Sequence, residues 1–232
     1  MSTNGTALRR TIADAIALLV EPLGDLAPAR LSGDEYVSLV REMANLARIV
    51  SGAEMALAGE AANRAAGPID TLGALGYANA VDAVAILTSA SDRESKQRIR
   101  LGSALNAGFS LIGAETGSAH PHAAAAVAAG NLGPEAASII VDAFDKVSSR
   151  VDPLLVLEAE KGIVELAQGT RQEPPLRADL VRDQVAVFVA AIDPDGVLPR
   201  EEQAHRQRRL VIGRENRDGL IPVHGLLDLE IG

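Results

Sequence analysis

The stretch from Gly76 to Leu105, GYANAVDAVAILTSASDRESKQRIRLGSAL, predicts two consecutive helices. An apolar segment, Ala80 to Leu87, forms the first. Ser91 then comes three residues before Glu94, the spacing of a capping box, in which two side chains satisfy backbone N–H groups at the start of a helix. The second helix is expected to continue to about Asn106, after a short turn. The stretch therefore has the outline of a helix-turn-helix pair.

Helical spacing and helix-boundary residues recur on both sides of this pair. Pro22 and Gly24 are expected to end the first helix of the chain. Gly52 and Gly59 weaken the second and longest helix, so a break near either of them stays open. Outside the central pair, the predicted helices are Ala7 to Val20, Ser32 to Ala66, Glu135 to Val147, Pro153 to Gln168 and Pro175 to Ala191.

The composition favours helices packed on helices. Hydrophobic residues make up 47% of the chain but aromatic residues only 2%, so the core must consist mostly of Ala, Leu, Val and Ile. Near the end, Arg209 to Gly213 and Leu220 to Leu227 are rich in β-forming residues, with turn residues between them. We predict a mainly α multi-helix bundle, residues 1–191, and an arginine-rich segment, residues 192–232, whose small β-hairpin packs on that body in one compact unit.

The N-terminal region imitates a signal peptide, because Arg9 and Arg10 precede the apolar stretch Ile12 to Val20. Asp14 interrupts that stretch, and no run of about 18 apolar residues exists that would span a membrane. The chain has no cysteine, which excludes disulfides and thiolate zinc sites. We therefore expect a cytoplasmic protein without a membrane partner.

The usual catalytic motifs are missing from the sequence. It contains no phosphate-binding loop and no dinucleotide fingerprint, and Gly108 to Gly113 misses the nucleophile-elbow spacing by one residue. Asp193 to Gly196 lacks the later oxygen ligands of a calcium loop and is interpreted as a turn. His120 and His122 lie in a polar loop with no carboxylate cluster nearby in sequence, so they are attributed to chance composition. The four histidines are His120, His122, His205 and His224. We expect no catalytic site, metal, cofactor or small-molecule substrate in this chain.

Two basic surfaces are the candidates for binding DNA. The chain has 22 basic and 31 acidic residues and a net charge of -9, so any contact with phosphates must be local. In the helix after Ser91, spacings of three, four and seven place four polar side chains on one face: Arg93, Lys96, Gln97 and Arg100. The second group lies near the C-terminus: Arg206, Arg208, Arg209, Arg214 and Arg217. The alternatives are a solvated helix face and a tail whose arginines pair with acidic helices.

The segment Ile192 to Glu230, IDPDGVLPREEQAHRQRRLVIGRENRDGLIPVHGLLDLE, resembles the hallmark segment of the domain of unknown function 222 family. This family is also called the 13E12 repeat family and is abundant in actinobacteria. Three further stretches resemble it in the same order: Gly76 to Leu105, His122 to Ile140 and Arg177 to Gly196. The resemblance covers the chain from about Ser32 to its end.

The resemblance implies a helical region of the kind that commonly precedes an HNH nuclease domain. A divalent metal would belong to that domain, and the HNH residues are not found in this sequence. The chain is thus expected to be either a part of a longer nuclease or a shortened member, and the enzyme question stays open for the parent protein. No nuclease residue can be assigned to a position of this chain.

Two functions follow as hypotheses. The preferred one is a non-catalytic accessory domain of an HNH-nuclease-type protein that associates with DNA and positions or targets the nuclease. The alternative is a protein–protein interaction or oligomerisation module, with a homo-oligomer as its product and no affinity for DNA. The helix bearing Arg93 to Arg100 is the preferred DNA surface, whereas Arg208 and Arg209 are expected to brace the tail against acidic helices.

Overall fold

The computed structural model describes residues 3–67, 70–109, 115–169, 173–194, 208–215 and 219–226. Two short antiparallel strand pairs occur in these residues: β1 (Gly108–Phe109) with β2 (Glu115–Thr116), and β3 (Arg209–Ile212) with β4 (Val223–Leu226). The described α-helices are α1 (Thr3–Gly24), α2 (Gly33–Ala66), α3 (Ala80–Thr88), α4 (Asp92–Leu105), α5 (Pro121–Ala128), α6 (Pro134–Val147), α7 (Pro153–Ala167) and α8 (Ala178–Ile192). The predicted mainly α fold with a C-terminal hairpin is confirmed.

The chain divides into two units, Met1–Ala47 and Arg48–Gly232, called unit 1 and unit 2 below. The boundary lies inside α2. The predicted separation of residues 1–191 from residues 192–232 stays a prediction, because residues 195–207, which join those parts, lie outside the described residues.

Helix starts carry prolines and side chains that satisfy backbone N–H groups. Pro121, Pro134 and Pro153 occupy the start of α5, α6 and α7, where a backbone N–H would lack a helical partner anyway. The side chain of Asn79 caps α3 by accepting from the backbone nitrogen of Asp82 at 3.0 Å. These local signals fix the helix boundaries to within a few residues.

In unit 1, α1 continues past Pro22 to Gly24. The helix therefore runs four residues past the predicted end at Val20 and ends at Gly24, one of the two residues expected to stop it. Proline removes only its own N–H bond, and the helical pattern resumes where Asp25 N donates to the carbonyl of Glu21 at 3.1 Å. None of the residues of unit 1 whose burial is described is buried. None of the helices in the described ranges is long and apolar enough to cross a membrane.

The long helix α2 runs without a break through Gly52 and Gly59, both of which are buried in unit 2. A Cβ at Gly52 would lie 2.8 Å from the carbonyl oxygen of Val127, and one at Gly59 would lie 2.7 Å from Asn106 Nδ2. Gly102 of α4 lies equally close to the backbone of α2, since a Cβ at Gly102 would lie 2.8 Å from the backbone nitrogen of Gly59. The glycines therefore let backbones approach one another and do not interrupt the helix.

The core of unit 2 is built around α6, which packs against α4, α5, α7 and α8. Phe144 and Ile140 of α6 are completely buried, together with Ile163 of α7 and Val181 of α8. The predicted aliphatic core is confirmed, because Ala, Val, Leu and Ile supply nearly all its described buried side chains. Each such side chain contributes about 1.5 to 3 kcal/mol of burial free energy.

Candidate functional site

Arginines fix α4 to the helices on either side of it. Arg98 lies 3.3 Å from the carboxylate of Glu54 on α2. Arg100 pairs with Asp142 of α6 and also donates to the hydroxyl of Ser138 at 2.9 Å. Three of the four carboxylate and guanidinium side chains in these two pairs are at least 38% exposed, so each pair contributes little stability. Their effect is positional, because they hold α4 in one orientation on the core.

The outward side of α4 carries the predicted basic face. Arg93, Lys96, Gln97 and Arg100 are all exposed, whereas Ser95 on the other side of the helix is buried. Arg100 is already neutralised by its ion pair with α6. Within the described residues, neither Arg93 nor Lys96 has an ion-pair partner. The face therefore presents two positive charges without ion pairs in the described residues, and one amide, within about a turn of helix.

A shallow groove of about 690 Å³ borders one edge of this face. Asp82 and Asp92 line it together with Lys96 and Ile99. The two carboxylates make the groove unfavourable for a phosphate. An anion approaching α4 would therefore bind outside the groove, beside Arg93, which lies about 120° around the helix from Ile99, with Lys96 at the boundary between the two.

The C-terminal arginines fall into two groups. Arg208, Arg209 and Arg214 are exposed, while Arg206 and Arg217 lie outside the described residues. Every residue of β3 and β4 is exposed on both faces of the hairpin. The structure thus brings the α4 residues together on one surface, whereas the C-terminal arginines that it describes, Arg208, Arg209 and Arg214, lie on or beside the β3–β4 hairpin.

A buried ionic cluster lies at the start of α5. The ring of His120 is held between two carboxylates: Nδ1 lies 3.0 Å from Glu160 Oε2, and Nε2 lies 3.1 Å from Asp145 Oδ1. Glu160 is 1% exposed and also accepts from the backbone nitrogens of His122, at 2.9 Å, and Ala123, at 3.0 Å. The carboxylate of Glu160 therefore caps the N-terminus of α5 from the adjacent helix α7.

The two carboxylates determine the protonation of His120. Burial alone would lower the pKa of His120, but the hydrogen bonds and negative charges of Glu160 and Asp145 more than offset this, so the pKa lies above its ordinary value of 6.5. The imidazolium form donates from both ring nitrogens and so satisfies both partners. Because both nitrogens are occupied, the ring has no free lone pair for a metal or for activating a nucleophile. Among the described residues, no group of three acidic or histidine side chains is arranged to hold a metal ion.

Comparison with protein-family models matches residues 37–231 to the family described as "Domain of unknown function (DUF222)". The chain belongs to the DUF222 family. No curated protein and no solved structure matches the chain. The DUF222 match includes most of α2 and all later elements, while α1 precedes it.

Within this DUF222 chain, the sequence analysis located the basic face but missed the buried cluster. The attribution of His120 to chance composition is wrong, because its ring is 4% exposed and bonded to two carboxylates. Glu160 reaches it from a helix forty positions away in sequence. One local signal was present: His120 directly precedes Pro121, the first residue of a helix, where backbone N–H groups need acceptors.

The raised pKa of His120 predicts a pH dependence of stability. The folded state holds the proton more tightly than the unfolded state does, so this contribution is complete below about pH 6.5 and is lost as the pH rises through the folded pKa. The free energy of unfolding should therefore fall from pH 6.5 upward. His120→Asn keeps a neutral donor near the Nδ1 position but cannot titrate. The free energy of unfolding of this variant should therefore fall less steeply with pH than that of the wild type. Urea unfolding at several pH values measures both slopes, and equal slopes would contradict the assignment.

Proposed function

We propose that this chain is a non-catalytic, DNA-associated domain of an HNH-nuclease-type protein and that it contacts the phosphate backbone through the outward face of α4. In this proposal the cutting reaction and its divalent metal belong to an HNH module, and the helical region targets or positions that module. The features of the sequence that resemble the 13E12 repeat family of actinobacteria support the association with HNH nucleases. The chemistry of the α4 face supports the contact with DNA.

The observation that carries the DNA proposal is the separation of paired from unpaired charge on α4. Arg98 and Arg100 are committed to carboxylates of neighbouring helices. Arg93 and Lys96 point outward without an ion pair in the described part of the chain. Binding surfaces are most effective when rigid elements present them, and the two ion pairs give α4 that rigidity. Gln97, on the same face, adds a donor and an acceptor for a phosphate or a base edge.

The size of the face sets the strength of binding that we expect. Two phosphate contacts give a slope of about -2 in a plot of log K against log salt, so affinity should fall roughly tenfold between about 50 and 200 mM salt. The net charge of -9 opposes binding anywhere else on the surface. The proposal is therefore weak, salt-sensitive and largely sequence-independent binding, which suits a domain that supports another domain's chemistry.

Reversing the two charges should abolish this binding. In Arg93→Glu/Lys96→Glu, the phosphates meet two carboxylates in place of two cations, so affinity for a short fluorescent duplex should drop by at least about tenfold and the salt slope should approach zero. Fluorescence anisotropy over a range of salt concentrations measures both quantities. Circular dichroism checks that the fold is retained, which is expected because both side chains are exposed.

A matched control separates a local contact from overall charge. Lys161→Glu/Arg182→Glu changes the net charge by the same amount at exposed positions of α7 and α8. This control should reduce affinity by less than about threefold, through the long-range field alone. Equal losses in the two double variants, or a wild-type chain that does not bind DNA at low salt, would overturn the proposal. Cleavage of the duplex by this chain would contradict its non-catalytic part.

A second candidate function, the interaction or oligomerisation module, draws on a separate observation. Unit 1 exposes large apolar side chains along both of its helices, which a protein without a partner rarely does. This surface is independent of the α4 face, so the two functions can be tested separately.

A further inference from the structure

Unit 1 is formed by α1 and the first part of α2, and it buries nothing of its own. No residue from Gly5 to Ala47 is buried. Twelve of its large apolar side chains are instead between 36% and 75% exposed. They are Leu8, Ile12, Ile16, Leu18, Leu19, Val20, Leu23, Leu26, Tyr36, Val37, Val40 and Met43. Two helices of this length with no buried side chain lack the tertiary packing that supplies most helical stability in proteins.

The spacing of these residues identifies the kind of surface that covers them. On α1, Ile12, Ile16, Leu19 and Leu23 follow one another at intervals of four, three and four. On α2 the series Tyr36, Val40, Met43, Ala47 and Val50 repeats the same alternation. Alternating steps of four and three give the apolar seam of a helix that packs along another helix at a shallow angle. The occupant is therefore a helix or a pair of helices.

The exposed area matches the interface of a stable dimer. Twelve side chains at roughly half exposure present on the order of 1,000 Å² of apolar surface, compared with roughly 800 Å² per partner in a standard-size interface. The largest apolar patch on a typical monomer is about 300 to 600 Å².

The charges of unit 1 favour a second copy over a lipid surface. Residues 1–47 contain four arginines and six carboxylates, and an acidic amphipathic helix is repelled by anionic lipids. Along α1 the charges are also segregated, because Arg9 and Arg10 lie near one end and Glu21 near the other, with Asp25 just beyond. Two antiparallel α1 helices that cross near Ile16 would place the basic end of each at the level of the acidic end of the other, and Arg9, about 20° around the helix from Ile16, would lie beside the seam. A two-fold interface requires this kind of self-complementarity.

We propose that unit 1 is a dimerisation element, in which α1 and the N-terminal part of α2 pair with the same segments of a second copy to form an antiparallel four-helix bundle. Ile16 lies near the two-fold axis, and the apolar seams of the four helices form the core. This inference rests on unit 1 alone and does not depend on the DNA-binding proposal. α1 lies ahead of the residues matched to the family, whereas the N-terminal part of α2 lies mostly within them.

The test compares two neighbouring substitutions in the full chain. Ile16→Glu places a charge in the seam, whereas Ala17→Glu places the same charge about 100° further around α1, outside the seam. Wild type and Ala17→Glu should be dimers with micromolar or tighter dissociation constants, and Ile16→Glu should be a monomer over the same concentrations. Sedimentation equilibrium from low to high micromolar protein measures all three.

A cross-linking experiment covers the case in which Ile16→Glu also unfolds α1. The chain has no cysteine, so Ile16→Cys introduces a single thiol. Under mild oxidation this variant should form a disulfide-linked dimer quickly, because the two copies of residue 16 face each other across the axis. Ala17→Cys should cross-link much more slowly.

A wild-type monomer at all concentrations, a dimer that Ile16→Glu leaves intact, or binding to anionic vesicles in place of dimerisation would overturn the proposal. Arg93→Glu/Lys96→Glu should leave the dimer unchanged, so failure of the DNA proposal is distinguishable from failure of this one.

Discussion

Replacing Gly102 by valine is expected to force α4 away from α2 and to remove a large part of the stability of unit 2. A Cβ at Gly102 would overlap the carbonyl oxygen of Met55 and lie 2.8 Å from the backbone nitrogen of Gly59. Both neighbours are helix backbone, so neither can rotate away as the end of a side chain could. We expect a loss of about 3 kcal/mol or more, at the upper end of the range for overpacking. Urea unfolding, monitored by circular dichroism, measures this loss of stability.

Two alanine substitutions serve as controls for this prediction. Gly102→Ala retains the overlap but gains about 1 kcal/mol of helix propensity, so its loss should be intermediate. At Gly133, in the same unit, the nearest atom to a Cβ is Arg48 Cδ at 3.9 Å, so Gly133→Ala should change stability by no more than about 0.5 kcal/mol. If Gly102→Val unfolds at the same urea concentration as Gly133→Ala, α2 and α4 do not meet at these glycines.

The helices of this chain could be predicted because their boundaries are local. Ser91 caps α4 by accepting from Glu94 N at 3.2 Å, and Pro134 begins α6, as their sequence contexts indicated. Gly59 could not be interpreted in the same way. A glycine lowers helix propensity wherever it stands, so the sequence left a break in α2 open. The reason for the glycine is the backbone of α4, and only the folded chain brings that backbone close.

The same difference between local sequence signals and contacts from distant helices applies to the candidate sites. Helical periodicity alone places Arg93, Lys96 and Arg100 on one face, and the structure has all three exposed. Periodicity does not reveal that Arg100 is paired with Asp142, because that partner belongs to a different helix. The cluster of His120 and Glu160 was invisible for the same reason. Its members are polar residues in separate helices, and neither is unusual in its own stretch of sequence.

Replacing Glu160 by methionine is expected to be the most damaging change in the buried cluster. Methionine has a similar volume but accepts no comparable hydrogen bond, so the backbone nitrogens of His122 and Ala123 and the ring of His120 would lose their acceptor together. Removing one partner of a buried ion pair typically costs about 3 to 5 kcal/mol, and we expect a loss of that order. The free energy of unfolding at neutral pH, from urea titration, measures it.

Two further variants show whether the loss comes from hydrogen bonding. Glu160→Gln keeps one oxygen for the two backbone nitrogens, and a neutral His120 can accept from its amide at Nδ1 while Nε2 donates to Asp145. It should therefore cost clearly less than the methionine variant. Glu158→Met, at an exposed position of the same helix, should stay within about 0.5 kcal/mol of wild type. If Glu160→Met and Glu158→Met were equally stable, the carboxylate could not be what fastens α7 to the start of α5.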